Sequence, residues 1–127
     1  MSEQSPERLF STFLRVAFFG CIIGLAVLAW LPADVMTRSI LGGHAEHFIA
    51  YLGTTTVMGL AFQKRPRLVI QCALLIVYAA ILEMGQLYSP TRHASFQDFG
   101  FSSSGVIAGG LLLRVARARL SNWLRIN

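Results

Sequence analysis

Histidine and carboxyl side chains that could bind a ligand or transfer protons occur at helical spacing in two separate parts of the chain. His47 follows His44 by three residues and precedes Tyr51 by four, so the three side chains would share one face of a helix. Glu83 and Gln86 are also three residues apart, near the end of an apolar stretch. A carboxylate at membrane depth is costly unless it faces a cavity or finds a polar partner. Glu83 is therefore the sharpest single indication of a site.

The segment that follows Glu83 adds two charged residues, Arg92 and Asp98. Asp98 is well placed to cap the next helix, because an aspartate side chain can accept hydrogen bonds from the first free backbone N–H groups. We predict that both residues lie beside His47 and Glu83 in one cluster. Arg92 should pair with Asp98 or with Glu83, since either pairing offsets an expensive charge near lipid.

Four apolar stretches must position these residues. A membrane span needs roughly 20 mostly apolar residues. The stretches that approach or meet this length are Phe10–Leu31, His47–Gln63, Leu68–Tyr88 and Phe99–Val115. The remaining segments are too short for a soluble domain. The sequence therefore predicts an all-α membrane protein, a compact bundle of four transmembrane helices that forms a single domain over residues 1–127.

The basic residues predict the orientation of this bundle. Nine of the eleven Lys and Arg residues fall at the N-terminal end, between the second and third stretches, or after the fourth; only Arg38 and Arg92 fall on the other side. Because Lys and Arg accumulate on the cytoplasmic side, both termini are predicted to be cytoplasmic. The basic C-terminal segment is expected to face anionic lipid, and no nucleic-acid partner is expected because no fold remains to present such a surface.

Two pairs of glycines predict close helix packing. Gly20 and Gly24 form a GxxxG pattern in the first stretch, and Gly105 and Gly109 form another in the fourth. In lipid, helices associate by close backbone approach over small residues. The pattern does not say whether the contact lies within one chain or between protomers, so a homo-oligomer stays open.

Four short motifs, in this order, resemble the pattern of the VanZ-like family. They are HFIAY at His47–Tyr51, LEMGQ at Leu82–Gln86, PTR at Pro90–Arg92, and Asp98 followed by Gly105 and Gly109. The family consists of small bacterial membrane proteins, and its founding member is associated with low-level resistance to the glycopeptide teicoplanin. The resemblance implies the bacterial inner membrane and the cell envelope, but no particular reaction. Three positions depart from the pattern: Gly43-His44 stands where the family often has Asp-Lys, and Ser102 where it often has Asn.

Three functions are compatible with these residues. The first is binding of a lipid headgroup or envelope precursor in an outward-facing polar pocket, with Arg92 contacting phosphate. Its predicted ligand-binding residues are His47, Tyr51, Glu83, Gln86, Arg92 and Asp98. The second is acid–base catalysis on an envelope lipid or glycan by Glu83 and His47. The third is a structural or assembly subunit whose polar cluster only locks the helices together. No cofactor signature occurs, and the His-x-x-His spacing of His44 and His47 alone is too weak to predict a metal site.

Overall fold

The structure is a computed structural model that describes residues 6–32, 34–35, 40, 42–64, 66–89 and 91–126. In these residues the chain forms four α-helices and no strand, so the predicted all-α class with four helices is confirmed. The helices are α1 (Pro6–Trp30), α2 (Gly43–Ala61), α3 (Leu68–Gly85) and α4 (Phe96–Ile126), with a single 3₁₀ turn at Gln86–Tyr88 after α3.

Three helical segments in the described part of the chain are long and apolar enough to cross a membrane. They are Pro6–Trp30, Leu68–Tyr88 and Phe96–Arg125. α2 is not among them, so the predicted span at His47–Gln63 is not confirmed. The reason lies in its composition, because α2 begins with histidines and a glutamate and later carries three consecutive threonines.

The polar composition of α2 agrees with its place inside the bundle. Only four of its residues are exposed: His44, Ile49, Gly53 and Leu60. The hydroxyl groups of the three threonines donate hydrogen bonds of 2.7–2.9 Å to the carbonyl oxygens four residues earlier in the same helix. α2 therefore packs against its neighbours along most of its surface and needs fewer apolar residues than a helix that faces lipid.

Among the described residues, the contact between α2 and α4 is the most extensive one between helices, and it depends on Gly105 and Gly109. A Cβ at Gly105 would overlap the carbonyl oxygen of Phe48. A Cβ at Gly109 would lie 2.9 Å from the Cβ of Thr55 and 3.0 Å from the carbonyl oxygen of Leu52. The second glycine pair thus packs within the chain. Its neighbour Val106 is completely buried.

The first glycine pair has no comparable neighbour. Apart from the adjoining residues and the nearby backbone of α1, no atom of the described residues lies within 4 Å of the Cβ positions of Gly20 and Gly24. A packing role for these two glycines within the chain is therefore not seen in the structure. Of the two alternatives, contact with a second protomer stays open for this pair.

The helices alternate in direction, which gives the bundle two chemically different ends. At one end, called the pocket end because a cavity opens there, Trp30 of α1 packs on Gly85 of α3, and the first turns of α2 and α4 meet. At the opposite, basic end, Arg117 of α4 donates a 2.6 Å hydrogen bond to the carbonyl of Gly59. The amide of Gln71 donates at 2.7 Å to the carbonyls of Phe62 and Pro66. Side chains from α3 and α4 thereby satisfy backbone groups at and just beyond the C-terminus of α2.

Candidate functional site

A cavity of about 300 Å³ opens at the pocket end. Its apolar lining comes mainly from α1 and α3 and consists of Leu25, Leu28, Ala29, Ala50, Ala79 and Leu82. Its polar lining consists of Glu46, His47, Tyr51, Glu83, Gln86, Arg92 and Ser102. Five of the six predicted ligand-binding residues therefore line one cavity, although they come from α2, the end of α3 and the loop after it. Asp98 is the exception.

His47 is oriented by a residue that the sequence analysis did not predict as part of the site. Its Nδ1 lies 3.2 Å from the hydroxyl oxygen of Ser102 on α4, and Ser102 is only 2% exposed. The bond uses one ring nitrogen and leaves Nε2 as the other polar atom of a side chain that lines the cavity. Ser102 lies three residues before Gly105, on the face of α4 that packs against α2, and this spacing is the signal that could have identified it.

The carboxylate of Glu83 has a polar partner at the N-terminus of α4. Its Oε1 accepts a 2.5 Å hydrogen bond from the backbone N–H of Ser95, and the hydroxyl of Ser95 accepts one from the N–H of Asp98 at 3.3 Å. The partial positive charge of a helix N-terminus stabilises a carboxylate. Ser95, not Asp98, is therefore the N-cap of α4, and the predicted capping role of Asp98 is wrong.

Asp98 instead accepts a hydrogen bond from His44 on the outside of the cavity. Its Oδ1 lies 2.8 Å from Nδ1 of His44, and the two side chains are 25% and 51% exposed. The His44 ring also stacks on Phe101, with ring centroids 4.9 Å apart. The first turns of α2 and α4 meet in this pair, whereas His47 and Ser102 meet one turn deeper. Asp98 is consequently separated from the predicted cluster by one helical turn.

Arg92 also has partners other than those predicted. Its Nε donates to the carbonyl of Leu31 at 3.0 Å, and its Nη2 donates to the carbonyl of Leu28 at 2.9 Å. In a continuous helix the Leu28 carbonyl would accept from residue 32, but Pro32 has no N–H. The predicted ion pair with Asp98 or Glu83 is not among those of the described residues. Arg92 satisfies carbonyls at the C-terminus of α1 instead.

Glu46 is a second lining residue that the sequence analysis did not single out. It shares the cavity with Glu83 and Arg92, so carboxylates outnumber guanidinium groups in the lining. Its spacing gave no signal, because Glu46 directly precedes His47 and adjacent residues of a helix do not face each other. Among the described residues, no group of three or more His, Cys, Asp and Glu side chains is arranged to hold a metal ion.

The described residues thus form an all-helical bundle with three segments long and apolar enough to span a membrane and with an amphipathic cavity at the pocket end. Comparison of the chain with protein-family models, curated proteins and solved structures finds no match.

Proposed function

We propose that the protein is a VanZ-like protein of the bacterial inner membrane that binds a lipid headgroup or a lipid-linked envelope precursor. The cavity carries this proposal, because it joins an apolar wall to a cluster of polar groups, as an amphipathic ligand requires. The motifs that resemble the family support it further. His47, Tyr51, Glu83, Gln86 and Arg92 come from three of those motifs and line the same cavity.

The charges of the lining favour a headgroup that contains an ammonium group. Glu46 and Glu83 are carboxylates, whereas two donor groups of Arg92 are directed at helix carbonyls. A phosphate bound by Arg92 alone would lie beside two like charges. A zwitterionic phosphoethanolamine headgroup can place its ammonium near the carboxylates and its phosphate on the side of Arg92. Phosphatidylethanolamine is therefore the probe of choice.

The proposed topology has four spans, with α2 as the second, and places the pocket end outside the cytoplasm. The basic end holds Arg15 and Arg117, two of the nine basic residues predicted to be cytoplasmic, which supports this orientation under the positive-inside rule. α2 is long enough for roughly 28 Å at 1.5 Å per residue, close to the hydrocarbon thickness. Its polar side chains are acceptable at that depth because other helices cover them.

Reporter fusions test this topology. A reporter fused near Arg38 or Arg92 should read outside the cytoplasm, and one placed after Arg67 or Asn127 should read inside. The C-terminal fusion is decisive, because a chain in which α2 does not cross would have three spans and opposite sides for its termini. A C-terminal reporter that is active only outside would exclude the four-span arrangement.

Glu83→Gln tests the binding function. The amide keeps the size of the side chain and an oxygen that can accept from Ser95, so we expect the variant to insert and to melt within a few degrees of the wild type. Retention of phosphatidylethanolamine by the protein purified from vesicles should nevertheless fall at least tenfold, which is a loss of about 1.4 kcal/mol in binding free energy. Native mass spectrometry of the protein–lipid complex measures this retention.

Asp98→Asn is the matched control for Glu83→Gln. It also removes one negative charge at the pocket end, but Asp98 lies outside the cavity, so lipid retention should be unchanged. Replacing phosphatidylethanolamine with phosphatidylglycerol, which lacks the ammonium group, should weaken binding to the wild type. Equal retention by wild type and Glu83→Gln would overturn the binding proposal. A collapse of melting temperature in Glu83→Gln would leave only the structural role.

Acid–base catalysis is the second candidate, and the contact between His47 and Ser102 favours it. Because Ser102 holds Nδ1, the imidazole has a fixed orientation in a cavity that also holds Glu83. Such an arrangement can move a proton to or from a bound lipid or glycan. Product analysis by mass spectrometry after incubation with phosphatidylethanolamine would distinguish turnover, with a changed lipid mass, from binding with an unchanged one.

A further inference from the structure

We infer that the ligand reaches the cavity sideways from the bilayer, through a gap between α1 and α3, and that it keeps its acyl chains in the membrane while bound. This inference rests on the proposed lipid-binding function and specifies its ligand class as a membrane lipid rather than a water-soluble precursor. Three observations carry it: the packing of the helices, the boundaries of the gap and the chemistry of its walls.

The packing leaves one edge of the bundle loosely closed. α2 and α4 form the tight central pair, α1 packs mainly on α2, and α3 packs mainly on α4. α1 and α3 also touch each other, but less extensively than either helix touches its main partner. The cavity lies behind this edge, because α1 and α3 supply its walls and α2 supplies His47 and Tyr51 at its back.

Two contacts between α1 and α3 mark the limits of the gap. Toward the membrane centre, the hydroxyl of Tyr78 donates a 2.7 Å hydrogen bond to the carbonyl of Ile22. Toward the pocket end, Trp30 packs on Gly85 so closely that a Cβ there would lie 2.7 Å from the indole Nε1. The cavity-lining residues of α1 all fall between Ile22 and Trp30 in the sequence.

The walls of the gap are apolar and suit an acyl chain. On the aqueous side of the gap, Arg92 connects the loop after α3 to α1. Leu25, Leu28 and Ala29 face Ala79 and Leu82 across the cavity, and Leu28 is 49% exposed, so the apolar wall continues to the outer surface of the bundle. At the pocket end, Arg92 reaches from the loop after α3 to the carbonyls of α1. A headgroup among the polar residues would therefore leave its chains between two membrane-spanning helices.

Ala29→Trp tests the gap without changing a polar group. Ala29 is half-buried and lines the cavity, so an indole there would occupy the space between α1 and α3. Ala73→Trp makes the same substitution at an exposed position of α3 and serves as the control. With dioleoyl phosphatidylethanolamine in vesicles, Ala29→Trp should reduce the retained lipid at least tenfold, while Ala73→Trp should retain as much as the wild type.

Photo-crosslinking gives a second measurement that does not depend on how Ala29→Trp folds. Benzoylphenylalanine at Leu28, on the wall of the gap, should label phosphatidylethanolamine saturably, and Glu83→Gln should abolish the saturable fraction. The same group at Val27, which is exposed on α1 outside the cavity lining, should give only unsaturable labelling by bulk lipid.

The outcomes separate the two proposals. Normal retention in Ala29→Trp, together with non-saturable labelling at Leu28 and loss in Glu83→Gln, would overturn entry through the gap and leave the binding site standing. Equal retention in wild type and Glu83→Gln would overturn the binding site and the gap together.

Discussion

Gly105→Ala is expected to destabilise the protein by about 3 kcal/mol, at the upper end of the usual cost of overpacking. The added methyl group would overlap the carbonyl oxygen of Phe48 and lie 3.1 Å from the backbone nitrogen of Leu52. Both neighbours are backbone atoms of α2, so no side-chain rotation relieves the overlap, and α2 and α4 must separate. Thermal unfolding of the purified protein, followed by circular dichroism, measures the loss.

Gly100→Ala is the matched control on the same helix. Apart from the adjoining residues and the nearby backbone of α4, no described atom lies within 4 Å of the Cβ position of Gly100. Replacing glycine by alanine inside a helix stabilises it by roughly 0.5–1 kcal/mol when nothing is displaced. The two substitutions should therefore shift the melting temperature in opposite directions. Equal shifts would mean that α2 and α4 are not in backbone contact at Gly105.

The glycines also show how far the sequence determines the packing. Gly20 and Gly24 have the same spacing as Gly105 and Gly109, but only the second pair has α2 against it. A GxxxG pattern indicates a smooth strip on a helix and carries no information about which helix lies opposite. That depends on the arrangement of the whole bundle, which local spacing cannot give.

The cavity was more predictable than the packing. His47 and Tyr51 must share a face because they are four residues apart, and alternating helix directions bring them to the same end as Glu83 and Gln86. Spacing along each helix and the number of helices together give this result. The same reasoning failed for Asp98 because the fourth helix begins at Phe96 rather than Phe99. That shift makes Ser95 the N-cap and turns Asp98 outward to His44.

The partners of Arg92 could not be found by matching charges alone. An arginine near two carboxylates suggests an ion pair, but the carbonyls at the end of α1 are also strong acceptors and have lost their helical donors. Pro32 in the sequence marks one of those losses at Leu28. Backbone acceptors that a proline leaves unsatisfied should therefore be counted together with acidic side chains when the partner of an arginine is predicted.

Arg92→Ala is expected to cost about 3 kcal/mol, because hydrogen bonds from a charged donor contribute roughly 1.5–3 kcal/mol each and two are lost. The carbonyls of Leu28 and Leu31 would lose these bonds, and the loop after α3 would no longer be held to α1. Arg92→Lys should recover only part of the stability, since one ammonium group lacks the fork geometry that reaches both carbonyls. Thermal unfolding of both variants gives the measurement, with Arg119→Ala at an exposed position of α4 as the control.

Lipid retention measured on the same samples separates the two roles of Arg92. A loss of retention that follows the loss of stability supports Arg92 as the link between the loop and α1. Wild-type stability in Arg92→Lys with lipid retention abolished would instead make the guanidinium a ligand contact, as the sequence first suggested.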